Sequence, residues 1–237
     1  MRAAFSSLRG RGVPVIERDL FTGALDTRRL VLAAIGKSRR VFKRRTENAV
    51  MGIAVALLLD ESGSMSGAKA KATLDVAVML AEALRGIPQI ELEVYSHTTS
   101  VEDDRNCLIR QLAGKRMRDH RAIGGYAADH MGSNYDHQAI LTVAKLFRQA
   151  TRFPKRWLLV VSDGQPSGTG YGGVPAIIAT RDAVTAVRRQ GIRVMNVAVE
   201  DYGSDEIYGA PWVLRLTDMP RLVEQFRRLL VRLAHGA

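Results

Sequence analysis

The chain has 237 residues and a mass of 26.1 kDa; 46% of residues are apolar and 25% charged, which suits folding around a core and excludes disorder throughout. Thirty-five Lys and Arg against 24 Asp and Glu give a formal charge of +11, and the single cysteine, Cys107, excludes an internal disulfide and any cysteine-based zinc site. No stretch approaches the ~20 apolar residues that span a bilayer, and the first 30 residues scatter Arg and Asp among apolar positions, so no membrane role is expected and the expected location is cytoplasmic.

The charge is uneven. Residues 1–50 hold 12 basic and 4 acidic side chains, which is +8 of the +11. A basic N-terminal extension over 1–49 is therefore expected to precede a nearly balanced domain over 50–237. Its densest part is Lys37, Arg39, Arg40, Lys43, Arg44 and Arg45. This cluster reads as a solvated arm or a face that docks on an acidic partner. Nucleic-acid contact is the sharper alternative, but Phe42 is the one aromatic inside the cluster, which does not support single-strand stacking.

In chain order, Leu25 to Ala34 reads as a helix with Asp26 as its N-cap. Gly52 to Leu59 is an unbroken apolar run ending at Asp60, the pattern of a strand covered on both faces. Ala68 to Arg85 is helical and largely apolar. Ile90 to Tyr95 alternates apolar residues with Glu and reads as a half-exposed strand, with an edge strand at Asn106 to Leu112. Residues 113–135 form a long polar segment. His137 to Ala150 is a helix, Arg156 to Val161 a second buried strand ending at Ser162-Asp163-Gly164, and residues 165–173 a Gly-rich loop read as a mobile rim. A helix from about Ala176 to Gln190, a strand at Arg193 to Val199, a short strand at Trp212 to Leu216 and a closing helix with Leu222, Phe226, Leu229 and Leu233 on one face complete the pattern. Strands alternating with helices predict an α/β, doubly wound, mostly parallel sheet flanked by helices.

Two of the most apolar strands end in aspartate. Ligands of open α/β sheets sit at the carboxyl ends of strands where the winding reverses, and two carboxylates brought together there call for a cation or a proton. Ser62 and Ser64 follow Asp60 at spacings of two and four, so a loop turning into a helix can aim carboxylate and hydroxyls at one point. Such hard oxygen donors suit Mg²⁺ or Mn²⁺. The alternative for the same residues is an Asx or Ser turn capping the helix.

Leu58 to Met65 resembles the first loop of von Willebrand factor A domains, where a metal-ion-dependent adhesion site begins, and Val160 to Gly164 resembles the third loop. Asn134 to Ile140 stands where the family's second, threonine-bearing loop belongs. The resemblance implies a Rossmann-like fold with Asp60, Ser62, Ser64 and Asp163 as metal ligands, and Asn134, or alternatively Asp136, completing the set. The Asn-x-Asp form, with upstream segments around Gly23 to Leu30 and Val41 to Lys43, is similar to the C-terminal domain of a cobaltochelatase subunit and related partners of AAA+ ATPases. This implies a non-catalytic, Mg²⁺-dependent module whose ion takes an acidic side chain from an AAA+ ATPase subunit or another protein.

Other motifs point elsewhere and fail. Gly36-Lys37-Ser38 resembles the end of a phosphate-binding loop, but Val31 stands where its first glycine is required. Gly168 to Gly173 fits G-x-G-x-x-G but lies several residues past its strand. His120, His130 and His137 have spacings of 10 and 7 that fit no helical metal pair, while His97, expected just after the strand at Ile90 to Tyr95, is a candidate either for the rim behind the ligands or for a capped turn. The two competing functions are a nucleic-acid-binding protein using its basic segment and a metal-dependent hydrolase.

Overall fold

The computed structural model describes residues 15–27, 30–36, 38–46, 52–84, 90–100, 105–114, 120–126, 132–200 and 202–216. The chain divides into two compact units, with the break between Met51 and Gly52.

The smaller unit is a three-stranded antiparallel sheet of β1 (Val15–Leu20), β2 (Ala24–Leu25) and β3 (Phe42–Thr46), with β3 in the centre, plus a five-residue helix α1 (Leu30–Ala34). The expected helix from Leu25 with Asp26 as its N-cap is thus corrected. Ala24 and Leu25 pair with β3, and Asp26 is buried, accepting a 2.6 Å bond from Arg18 Nη1. Gly23 makes the turn possible: its φ is +132°, and a Cβ there would lie 2.7 Å from the Lys43 carbonyl oxygen. The basic cluster is therefore partly a strand. Lys43, Arg44 and Arg45 lie along β3, whose side chains alternate between faces. Arg39 and Arg40 are exposed in the segment before it, with Arg40 over the Phe21 ring. Lys37 lies outside the described residues.

The larger unit is a six-stranded sheet in the order β6-β5-β4-β7-β8-β9, comprising β4 (Ile53–Asp60), β5 (Ile90–Thr99), β6 (Cys107–Ala113), β7 (Lys155–Ser162), β8 (Ile192–Ala198) and β9 (Val213–Arg215). All pairings are parallel except that of β5 with edge strand β6. The chain leaves β4 toward β5 and later returns to β4's other side as β7, so the winding reverses between them. Every residue of β4 is buried, as a run without polar alternation requires.

Helices α2 (Ala68–Leu84), α3 (Asp136–Ala150) and α4 (Gly173–Arg189) flank the sheet. One sheet face packs Ala54, Ala56, Leu58, Leu158 and Val160 against Ile140, Val143 and Phe147 of α3 and Val184 and Val187 of α4. These α3 residues recur at three- and four-residue spacing, so one stripe meets the core while Leu141 and Leu146 stay exposed. A buried side chain of this size contributes about 1.5–3 kcal/mol. A short helix α5 (Ser204–Tyr208) precedes β9.

Two expectations for β5 are corrected. The strand continues to Thr99, and it is buried rather than half-exposed. Glu91 accepts bonds from the Arg152 side chain and backbone, and Glu93 accepts one from Gln111 at 2.6 Å. Alternation with Glu was a sign of paired buried carboxylates here, not of solvent. The residue 165–173 segment is a bonded turn in which Gly168 and Tyr171 bridge and Tyr135 Oη donates to the Thr169 carbonyl. At the opposite end of β7, the indoles of Trp157 and Trp212 lie 6.2 Å apart, with Arg193 over the first and Arg188 over the second. The expected closing helix falls outside the described residues.

Candidate metal centre

Three loops meet at the carboxyl ends of β4 and β7. In the first, Asp60 turns the chain by accepting a 2.8 Å bond from the Ser62 backbone N–H on Oδ1. In the third, Asp163 does the same with the Gln165 N–H at 3.1 Å. Both are Asx turns, so each carboxylate commits one oxygen to its own loop and keeps the other for a neighbour. The turn reading and the shared-site reading of Asp60 are therefore the same geometry. Ser62 and Ser64 place their hydroxyl oxygens 3.1 Å apart beside it.

The second loop bridges the other two. Gly63 N–H donates to the Gly132 carbonyl, and Ser133 N–H to Thr99 Oγ1 at the end of β5. Asn134 is buried and spends its whole amide on bracing: Nδ2 donates to Asp60 Oδ2 at 3.1 Å and to the Gln165 carbonyl at 3.2 Å, while Oδ1 accepts from the Ser167 backbone N–H at 2.8 Å. A backbone N–H can only donate, and carboxylate and carbonyl oxygens can only accept, so the amide orientation is dictated by its partners. Asn134 thus turns its nitrogen toward Asp60. Asp136, two residues on at the first turn of α3, has both carboxylate oxygens buried with no hydrogen-bond partner among the described residues.

The electrostatics show that the acids form one group. Burial pushes the Asp60 carboxyl up to about 7, against the Ser62 bonds that lower it, and Asp163 adds to the rise. Burial also holds Asp136 well above the usual carboxylate range, reinforced by Asp60 and Asp163. His97 is pushed down to about 4 by burial, partly opposed by Glu61, so its ring is neutral at physiological pH. One lysine answers the cluster: Lys69, in the first turn of α2, lies 3.5 Å from Asp163 Oδ2 and 2.7 Å from Glu200. Burial opposes its charge, but the bond to Glu200 and the field of Asp163 prevail and raise it.

The six residues singled out from sequence (Asp60, Ser62, Ser64, Asn134, Asp136 and Asp163) all lie on these three loops and the first turn of α3. Sequence reasoning passed over Lys69, whose contact with Asp163 spans 94 residues. It also passed over Tyr126, whose hydroxyl donates to the Asp60 carbonyl at 2.7 Å, and Arg110, which pairs with buried Glu61. His97 lies within β5 rather than after it. Among the described residues, the one group of metal-capable acids and histidines is Asp60, His97 and Asp136, with donor atoms within 4.8 Å of one another. His137 instead packs against Tyr135 and Tyr171; the side chain of His120, and all of His130, are outside the described residues.

This donor set fits a divalent cation. Three carboxylates are buried beside two hydroxyls, one of them, Asp136, with no hydrogen-bond partner among the described residues, an arrangement that is costly until more positive charge than that of Lys69 enters.

A comparison with curated proteins gives no significant match. Among solved structures, the chain is similar to the pilus adhesin SpaC from Lactobacillus rhamnosus GG in its open conformation, with 13% identity and a TM-score of 0.58 over 80% of this chain and 31% of the adhesin. It is also similar to the PilB minor pilin from Streptococcus sanguinis, with 12% identity and a TM-score of 0.57 over 83% of this chain and 66% of the pilin. At such identity the likeness is one of fold, and the chain spans less than two thirds of either protein. The family model for the von Willebrand factor type A domain matches residues 54–210, from the second residue of β4 to just beyond α5 and including all three loops. With that match across most of its length, a mostly parallel sheet flanked by helices and the acids at its switch point, the chain belongs to the von Willebrand factor type A domain family.

Proposed function

We propose that this protein is a metal-dependent protein-binding module. Asp60, Ser62, Ser64, Asp136 and Asp163 would hold a divalent ion, Mg²⁺ or Mn²⁺, with Asn134 bracing the first and third loops around it. The ion supplies positive charge and an open position at the surface end of the sheet. Hard cations favour carboxylate oxygen, so an acidic side chain of a partner protein is the natural completing group. The partner favoured by the likeness of the Asn134-x-Asp136 loop to cobaltochelatase-type subunits is an AAA+ ATPase, which this chain would serve as a non-ATPase subunit in metal insertion or protein remodelling.

The observation that carries this reading is the convergence of three buried carboxylates from two strand ends and one helix start, with both oxygens of Asp136 lacking a hydrogen-bond partner among the described residues. Calorimetric titration of the full chain with Mg²⁺ and Mn²⁺ tests it. Saturable one-site binding is expected in the wild type and a loss of at least about 100-fold in Asp60→Ala, since removing a carboxylate ligand takes both charge and coordination. Equal heats in the two proteins refute it. Partner capture should fail in EDTA and recover when the ion is restored.

A further inference from the structure

The residues that line this centre are not all oxygen donors. Asp60 and His97 are register partners on the parallel strands β4 and β5, so their side chains project to the same face at the same level. His97 is 1% exposed, and its Nε2 lies 3.5 Å from Asp136 Oδ1, itself 1% exposed. Neither ring nitrogen, and neither Asp136 oxygen, has a hydrogen-bond partner among the described residues. A neutral imidazole carries one N–H donor and one acceptor lone pair, so an unspent Nε2 facing an unspent carboxylate oxygen leaves donor capacity buried in the protein. The donor atoms of Asp60, His97 and Asp136 fall within 4.8 Å of one another. Donors about 2.1 Å from one ion stand about 3.0 Å apart when adjacent and about 4.2 Å apart when opposite, so shifts of about 1 Å or less bring all three around a single centre.

We propose that His97 is a nitrogen ligand of the ion held by Asp60 and Asp136, and that the site therefore selects a first-row transition ion, of the Mn²⁺ or Co²⁺ class, over Mg²⁺. The inference rests on the ion-binding reading above and narrows its ion. Mg²⁺ dehydrates reluctantly and prefers oxygen, whereas imidazole suits transition ions with increasing strength from Mn²⁺ to Co²⁺ and beyond. An oxygen-only site would draw little distinction between Mg²⁺ and Mn²⁺. A buried imidazole with no hydrogen-bond partner among the described residues is the feature that tips the choice.

The test uses the full chain and three proteins: wild type, Asp60→Ala and His97→Gln. Calorimetry with Mg²⁺, Mn²⁺ and Co²⁺ should give Co²⁺ at least about 100-fold tighter than Mg²⁺ in the wild type. His97→Gln should weaken Co²⁺ by about 10–100-fold while moving Mg²⁺ by no more than about 3-fold. Pulsed electron paramagnetic resonance of the Mn²⁺-loaded wild type should show ¹⁴N coupling from a directly bound imidazole, absent in His97→Gln. This spectrum and the wild-type selectivity ratio decide the matter even where the variant folds poorly. Equal affinity for Mg²⁺ and Co²⁺, or a Mn²⁺ spectrum without ¹⁴N coupling, overturns the role of His97. If Asp60→Ala still abolishes binding in that case, the ion-binding module stands and only its nitrogen ligand falls. If no ion binds the wild type, both fall together.

Discussion

Asp60 shows how one side chain can be both a structural turn and a charge sink. Its Oδ1 holds the Ser62 N–H and its Oδ2 takes the Asn134 amide, yet burial still lifts it to about 7. An acid whose folded-state value exceeds its unfolded one near 3.8 binds more protons when folded, so its contribution to stability is present at low pH and is lost as pH rises through that window. Asp60→Asn removes this titration. Without added metal, the stability of the variant relative to wild type should therefore increase as pH rises from about 4 to about 7, as read from urea midpoints. Saturating divalent ion should reverse the trend, because a cation stabilises the ionised form. A gap that stays flat or narrows over that range would show that Asp60 titrates normally. His97 works with opposite sign, since a lowered value favours folding as pH rises through about 4 to 6.5. His97 is present in both proteins, so the comparison reports the carboxylates: Asp60 and, through it, Asp136.

At the level of elements, the site exists because two strands end together and three short loops lock to one another. The third loop turns at Gly164, with φ of +77°, where a Cβ would lie 2.4 Å from Ser204 Oγ and 3.1 Å from the Ser204 nitrogen at the start of α5. Gly164→Ala should cost about 1–3 kcal/mol of stability in chemical denaturation, from backbone strain and overpacking together. An unchanged midpoint would mean that the loop relaxes freely. These elements differed in how far they could be foreseen. The apolar runs ending at Asp60 and Asp163 were legible because a fully buried parallel strand has no polar alternation to confuse it, and the Asp-x-Ser-x-Ser spacing marked the first loop. Strand β5 was misjudged because the partners that make Glu91 and Glu93 tolerable inside, Arg152 and Gln111, are 61 and 18 residues away. Lys69 was out of reach for the same reason, and His97 could be placed near the rim but not paired with Asp136: both contacts are ones that only the strand order brings about. Asn134 lies on the second loop, but no spacing rule shows that a backbone N–H would claim its oxygen and turn its nitrogen to Asp60. The N-terminal segment misled because helix propensity over Leu25 to Ala34 was outweighed at Ala24 and Leu25 by pairing with β3.

Across the molecule, the charge and the ion centre belong to different units. Residues 1–50 carry +8, while the acids of the centre sit in the sheet domain after Gly52. Under the proposed function, two separable contributions to partner binding are expected: a screened, long-range attraction from the basic unit and a short-range contact at the ion. Replacing Arg39, Arg40, Lys43 and Arg44 with Ser should weaken capture of an acidic partner about 10-fold or more at low salt and make it less salt-sensitive, while leaving ion titration unchanged. Altered ion affinity in that variant would tie the two units together. The paired indoles also have a practical meaning for all of these measurements. The chain has two tryptophans, and Trp157 lies six residues before Asp163 along an extended strand, roughly 20 Å from the centre. Their shared emission reports whether β7 and the segment leading into β9 are still assembled, and Trp157 stands far from what the rim holds. The protein carries a built-in optical gauge of its own integrity, one that lets loss of fold be distinguished from loss of ligand in a single cuvette.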